Sequence, residues 1–297
     1  MATRVGTEVT GSSRSSAFFH RHRGLQLGAF LTPPMLWFLI FYLGALAVLF
    51  VSAFWHLDVF TGKVVKGFSL QNFQKLLEDP VYRTITIRTI WIATVVTVTD
   101  VVLAFPLAYY AARMASKRSR NAILVAVILP LWANYVVRVF AWKLILSRGG
   151  FLSWMFGLVG LHVEVGNSQW AIWLTFAYLW LPFTMLPIYG SLERVPGSFL
   201  EASGDLGAKG WMTFRRVLLP MIVPGIVAGS LFSFSLTLGD YIAPSLVGNT
   251  KFIGNVIYDS VGVAGNIPFA AAYALVPVAV VAVYMLIAKR VGAFEAL

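Results

Sequence analysis

Residues 201–220 read EASGDLGAKGWMTFRRVLLP, a charged, glycine-spaced stretch in a chain that is otherwise close to continuous membrane helix. One apolar run, about 168–191, ends just before it, and another, about 217–241, begins inside it. A helix crossing a hydrocarbon core of about 30 Å needs roughly 20 apolar residues at about 1.5 Å rise each, and both runs suffice. Working outward, the same test selects four more, at about 29–55, 84–112, 121–146 and 268–288. Lipid-exposed sheet edges would leave backbone groups unpaired, so the expected fold is an all-α membrane protein with six transmembrane helices.

Composition supports that class and removes others. Of 297 residues, 59% are hydrophobic and 12% charged, and the mean hydropathy of +0.78 lies outside the range of soluble domains. The net charge of +11 sits in short loops between apolar runs, which reads as an orientation signal and sets nucleic acid aside as a partner. There are no cysteines, and the four histidines show no paired spacing, so neither a metal site nor a catalytic residue is expected. Residues 1–27 are polar, Ser-rich and basic and read as a disordered cytosolic tail; residues 28–297 form the membrane domain. The apolar stretch after the tail is too long for a cleavable signal and reads as a signal anchor.

Lys and Arg set the orientation. The tail, the 113–120 loop, the 194–216 loop and the C-terminal end hold 14 of them, against 6 in the opposite loops, so both termini and the 193–216 loop are expected in the cytoplasm of a bacterial inner membrane. On the other side, FLSWMFGLVG (151–160) is too short to span and reads as an interfacial or re-entrant helix. SLQNFQKLLEDP (69–80) reads as a short amphipathic helix ended by Pro80.

The 193–216 loop itself reads as a helix, a glycine break and a second short helix. Ser198 is a candidate cap, Glu201 lies in the first turn, and Gly207 permits a left-handed residue. An amphipathic connector with basic anchors accounts for the composition. The spacing adds more: Glu201-Ala202-Ser203, then Gly207, then Val217-x-Leu219-Pro220 resembles the EAA loop of permease subunits of binding-protein-dependent ABC importers. Ser203 replaces an alanine of that pattern and Val217 an isoleucine. LPLWANYVVRVFAWKLIL (129–146), YLWLPFTMLPIYGSLERVP (178–196) and LTLGDYIAPSLVGNTKFIGNVIYDSV (236–261) resemble permeases of the spermidine/putrescine class.

That resemblance implies a type I ABC importer permease of MetI-like architecture, paired with a second permease subunit. Two copies of a cytoplasmic ATPase would bind ATP and Mg, and an extracytoplasmic binding protein would deliver a small cationic amine. Membrane lipids surround the assembly. The loop would be the coupling helix: Glu201 would meet a basic or amide partner, Ala202 and Leu206 would pack into the ATPase groove, and Gly207 and Pro220 would shape the turn and the following span. The chain has no GxxxxGK[ST] phosphate loop of its own, so no cofactor is expected in it. Another small amino compound or amino-acid-like solute is the alternative cargo. An ion-coupled secondary transporter, which would show an inverted repeat, and a membrane anchor for another complex are the alternative classes.

Ionisable groups at membrane depth are functional suspects because each costs roughly 2.5–3.5 kcal/mol at a helix centre. Arg88 and Lys143 lie near span ends and can snorkel. Asp100 lies near the middle of the second span and suggests a hydrogen bond to a neighbouring helix or a place on the cation path. Arg138 shares a helical face with Asn134, and an Arg138–Asp240 ion pair is one expectation. The other is that Asp240 with Tyr241, Trp132 and Tyr135 meets an ammonium group by charge and cation–π attraction.

Overall fold

The computed structural model of the chain describes residues 23–58, 60–158, 160 and 165–290. It divides into two units, residues 1–52 and 53–297. In the first, a helical rod runs through α1 (Arg23–Trp37), a wider π turn (Phe38–Leu43) and α2 (Gly44–Ser52). Pro33 and Pro34 inside α1 remove backbone donors one turn before the π turn. Nearly every described side chain of Phe30–Ser52 is exposed in the isolated chain, and rings pair along the rod, Trp37 with Phe41 at 4.2 Å and Phe38 with Tyr42 at 4.9 Å. A helix apolar all round is a membrane span. Residues 1–22 of the expected tail lie outside the described residues, and α1 takes up residues 23–27.

The second unit opens with a short antiparallel pairing of β1 (His56–Leu57) with β2 (Val64–Val65) and with α3 (Gln71–Glu78). The buried Asn72 amide donates to the carbonyls of Ala53 and Trp55 at 3.2 and 2.7 Å and holds α3 against the chain before it. Pro80 does more than end α3. It is the first residue of α4 (Pro80–Tyr109), where its missing N–H costs nothing, and the Asp79 carboxylate accepts the Val81 N–H at 2.9 Å.

Beyond a π turn at Tyr110–Met114, the order is α5 (Lys117–Ile128), a 3-10 turn (Leu129–Trp132), α6 (Tyr135–Leu146), α7 (Phe151–Gly157) and α8 (Gln169–Arg194). Then come α9 (Gly197–Asp205), α10 (Gly210–Thr213), a π turn (Phe214–Leu218), α11 (Leu219–Gly239), α12 (Ile242–Val247), α13 (Ile253–Gly262) and α14 (Ile267–Arg290). Among the described residues 5 helices are long and apolar enough to span, or 6 if one bent pair is counted as a single span.

That pair corrects the expectation of a continuous third span at 121–146. Lys117–Trp132 and Tyr135–Gly157 meet at 99°. Pro130 cannot donate to the preceding turn, Ala133 is extended, and the Asn134 side chain accepts the Val136 N–H at 2.9 Å and starts α6 afresh. A hydropathy window averages across such a break, because every residue in it except Asn134 is apolar.

Three long helices form the centre. Helices α4 and α8 run toward the end that carries α9 and α10, and α11 returns from it. One core cluster, with Ala104, Ala108, Met185, Ile188, Leu192 and Ile222, fills that end. Another, with Val96, Val139, Phe176, Trp180, Ala243 and Phe252, fills the opposite end. Glycines let α11 lie backbone to backbone on α8: a Cβ at Gly229 would sit 2.6 Å from the Thr184 carbonyl oxygen, and one at Gly225 would sit 2.7 Å from that of Pro187. Small residues at such crossings give van der Waals contact where lipid supplies no hydrophobic drive.

Gly229→Ala is expected to destabilise the purified protein by about 1–3 kcal/mol, the range for overpacking a tight core. Gly190→Ala in α8, where a Cβ meets nothing within 4 Å, is expected to be neutral or slightly stabilising. Thermal unfolding in detergent checks the pair, and equal effects would refute the packing account.

Candidate functional site

The segment between α8 and α11 is built as a peg. α9 closes in a Schellman turn: the Ala208 N–H donates to the Ser203 carbonyl at 3.0 Å and the Gly207 N–H to the Gly204 carbonyl at 2.8 Å, with Gly207 at φ +76°. The cap is not Ser198, as the sequence suggested. Pro196 occupies the N-cap position with no side-chain bond, and Ser198 lies inside the helix. Leu206, next to the turn, is 89% exposed, and Glu201 and Ala202 are exposed too. Ser203 faces inward, 8% exposed, and shares a 2.9 Å hydrogen bond with Thr213 of α10. The substitution of serine for alanine in the motif thus ties the two short helices together. Phe199, Trp211 and Met212 add apolar surface that the motif does not predict.

Two anchors join this peg to the long helices. Pro220, at the start of α11, has no N–H to offer the turn before it, and the chain widens there into the π turn at Phe214–Leu218. Arg113, in the π turn that follows α4, donates to the carbonyls of Leu192 and Val195 at 2.7 Å each, satisfying the C-terminal end of α8. In the sequence Arg113 registers only as one more basic loop residue, and nothing in its neighbours signals a partner 79 residues away.

At the opposite end of the bundle Asp240 follows directly on α11. One carboxylate oxygen accepts the Ala243 N–H at 3.0 Å, and the other accepts the hydroxyl of Tyr135, from the first turn of α6. Tyr135 stacks on Trp180 of α8, with centroids 5.9 Å apart at 11°. Among the described residues no ion pair joins Arg138 to Asp240. Arg138 instead lies 5.9 Å from the Tyr135 ring, with Nε and one terminal nitrogen buried and without a hydrogen-bond partner. The expected ion pair is therefore corrected: the Tyr135 hydroxyl and not Arg138 reaches the carboxylate.

Tyr241 stacks on Tyr258 of α13 at 4.5 Å and 11°. Trp180, Leu236, Asp240 and Tyr241 line a cavity of ≈ 340 Å³. Trp132 is 84% exposed and does not join this group. Asn255, which the sequence did not single out, is buried and holds the corner: its amide donates to the Tyr241 carbonyl at 2.8 Å and to Ser245 Oγ at 2.6 Å.

Asp100 lies between these two ends, fully buried in α4 and accepting a 2.5 Å hydrogen bond from Ser233 Oγ of α11. Its other oxygen has no partner. Arg88 donates to the Lys251 carbonyl, and Lys143 lies 5.9 Å from the Phe140 ring. Among the described residues no group of His, Cys, Asp or Glu is arranged to hold a metal ion.

A family profile described as "Binding-protein-dependent transport system inner membrane component" matches residues 104–294. The chain is similar to the inner membrane ABC transporter permease protein YdcU of Escherichia coli K12, 42% identical over 302 residues that cover 97% of this chain and 96% of the relative. It is also similar to the spermidine/putrescine transport system permease protein PotB of Salmonella typhimurium SL1344, 32% identical over 229 residues that cover 75% and 79%. In fold it matches a chain of the bacterial alginate ABC transporter solved with its alginate-bound periplasmic protein: TM-score 0.73, 18% identity, 94% of this chain and 98% of that one.

Gly207→Val places a β-branched residue at φ +76°, a backbone region costing about 1–2 kcal/mol for a residue with a Cβ. Faster hydrogen exchange at the 206–208 amides is the expected outcome, with the amides of α8 unchanged. Unaltered exchange at 206–208 would show that the turn does not need its glycine.

Proposed function

The chain belongs to the family of binding-protein-dependent transport system inner membrane components, and on that premise we propose that its 197–213 peg receives the thrust of a separate ATPase while the helix bundle passes a small cationic amine inward. It is a multi-pass permease subunit of an ABC importer. The observation that carries the coupling role is the exposed Leu206 held at a doubly hydrogen-bonded Schellman turn, close to the exposed Glu201 and Ala202. An apolar side chain that exposed, on a hydrogen-bonded turn, favours a protein groove over solvent. Glu201 adds a charge that a basic or amide group in the groove can meet, and Pro220 with its π turn passes motion into α11.

The partners follow from the same reading. Two ATPase copies would bind ATP and Mg, a second permease would complete the pathway, and a soluble binding protein would present the cargo outside. Relatives named for spermidine and putrescine transport support an amine cargo, and the carboxylate of Asp240 among aromatic rings favours a cation over an anion. The alginate transporter, which imports an acidic polysaccharide, shares only the fold at 18% identity. The excess of Lys and Arg in the tail and the 113–120 and 194–216 loops supports a cytoplasmic peg and cytoplasmic termini.

The test is co-expression with a candidate second permease, ATPase and binding protein and purification of the complex. ATPase activity stimulated by the amine-loaded binding protein is expected, and failure of this chain to purify with any ATPase would refute the reading. Glu201→Arg and Leu206→Asp are each expected to leave membrane insertion intact and to abolish that stimulation. Full stimulation in both variants would remove the peg from the mechanism. Because the chain has no cysteine, Asp205→Cys and Val263→Cys report orientation cleanly. An impermeant maleimide is expected to label Val263→Cys from outside and Asp205→Cys only in inverted vesicles. The reverse pattern would overturn the orientation.

A further inference from the structure

We infer that Asp240 is a binding site for the ammonium group of the translocated amine and that the Tyr135 hydroxyl is its resident occupant, displaced when cargo arrives. The inference rests on the proposed cationic cargo. It starts from a carboxylate with incomplete compensation: Asp240 is bonded by two neutral donors, Tyr135 and the Ala243 N–H at 3.0 Å. Among the described residues no cation pairs with it. A carboxylate offers about four lone-pair sites, so two remain. Half-buried and with no opposite charge paired to it, such a group gains more from an ammonium than from a further neutral donor.

The surroundings select the size and kind of cation. The ≈ 340 Å³ cavity beside Asp240 is walled by the Trp180 and Tyr241 rings. Ring faces attract an ammonium by their quadrupole. Tyr241 is held by its stack on Tyr258 at 4.5 Å, and its carbonyl is held by Asn255, so this wall is preformed. A primary amine on a flexible chain fits such a place, and an anion meets the carboxylate as repulsion.

Tyr135 makes the site conditional. It belongs to α6, beyond the 99° break, whereas Asp240 belongs to the end of α11. The two meet only while these elements stay together, so the bond is one that relative motion of α6 and α11 opens.

The experiment uses the whole transporter with its binding protein in proteoliposomes and measures uptake of radiolabelled putrescine against concentration. Asp240→Asn is expected to raise the half-saturating concentration about tenfold, which is ~1.4 kcal/mol, and Asp240→Glu to recover most of it. Tyr135→Phe, which removes the competing hydroxyl, is expected to lower it several-fold. Co-elution of all subunits shows that each variant is assembled, and Tyr135→Phe keeps the test open should Asp240→Asn fail to assemble. If wild-type uptake is normal and both Asp240→Asn and Tyr135→Phe stay within twofold of it, the ammonium site is refuted and the proposed function stands. If the assembled wild type takes up no amine, the proposed function itself fails, and this inference with it.

Discussion

The contact of α11 with α8 at Gly225 and Gly229 is the constraint on which the other placements depend. Because the nearest atoms to a built Cβ include backbone carbonyl oxygens 2.6–2.7 Å away, the two helices cannot be separated or rotated by a rotamer change on either side. With α11 fixed against α8, Ser233 reaches Asp100 of α4, and the three helices act as one body. The peg leaves from the end of α8 and returns at the start of α11, so both of its roots lie in that body. Arg113 ties in α4 as well. A force on Leu206 therefore has no soft element in which to dissipate before it reaches the long helices.

The same logic connects the two ends of the molecule. α11 carries the peg at its start and Asp240 immediately after its last residue. Its 21 residues rise about 31 Å. Packed backbone to backbone on α8 and tied to α4 through Ser233, it carries a displacement of the peg to its far end as part of that body. At its far end it meets the broken span through the Tyr135 hydroxyl on Asp240. Polar pairs of that kind have discrete made and unmade states, which suits alternating access better than a continuous apolar seam.

Much of this was legible in the sequence, for identifiable reasons. Span existence follows from length and apolarity, and the turn at Gly207 follows from the only residue that adopts φ +76° without strain. The exposure of Leu206 follows from its place beside that turn. The third span was misread because Pro130 and Asn134 carry their signal in backbone donors and caps, to which a hydropathy window is blind. The Tyr135–Asp240 bond joins residues 105 positions apart, and the sequence offered Arg138, four residues along from Asn134, as an equally placed competitor. Tyr135 and Arg138 lie three residues apart on one face of α6, so spacing does not say which of them bonds the carboxylate. Arg113 was missed because basic residues at span ends have an adequate explanation in orientation alone.

The π turn at Phe214–Leu218 has a consequence in rotational phase. A π turn holds one residue more than an α turn, and each α-helical residue turns the chain by about 100°. The face that the peg presents is thus set by the count of residues between Gly207 and Pro220 as much as by their identity. Closing the π turn to an α turn would swing Leu206 by about 100° around the axis of α11 with no change in any side chain. Length in this segment is itself a structural variable, and the tolerance of surface loops for single-residue insertions and deletions does not extend to it.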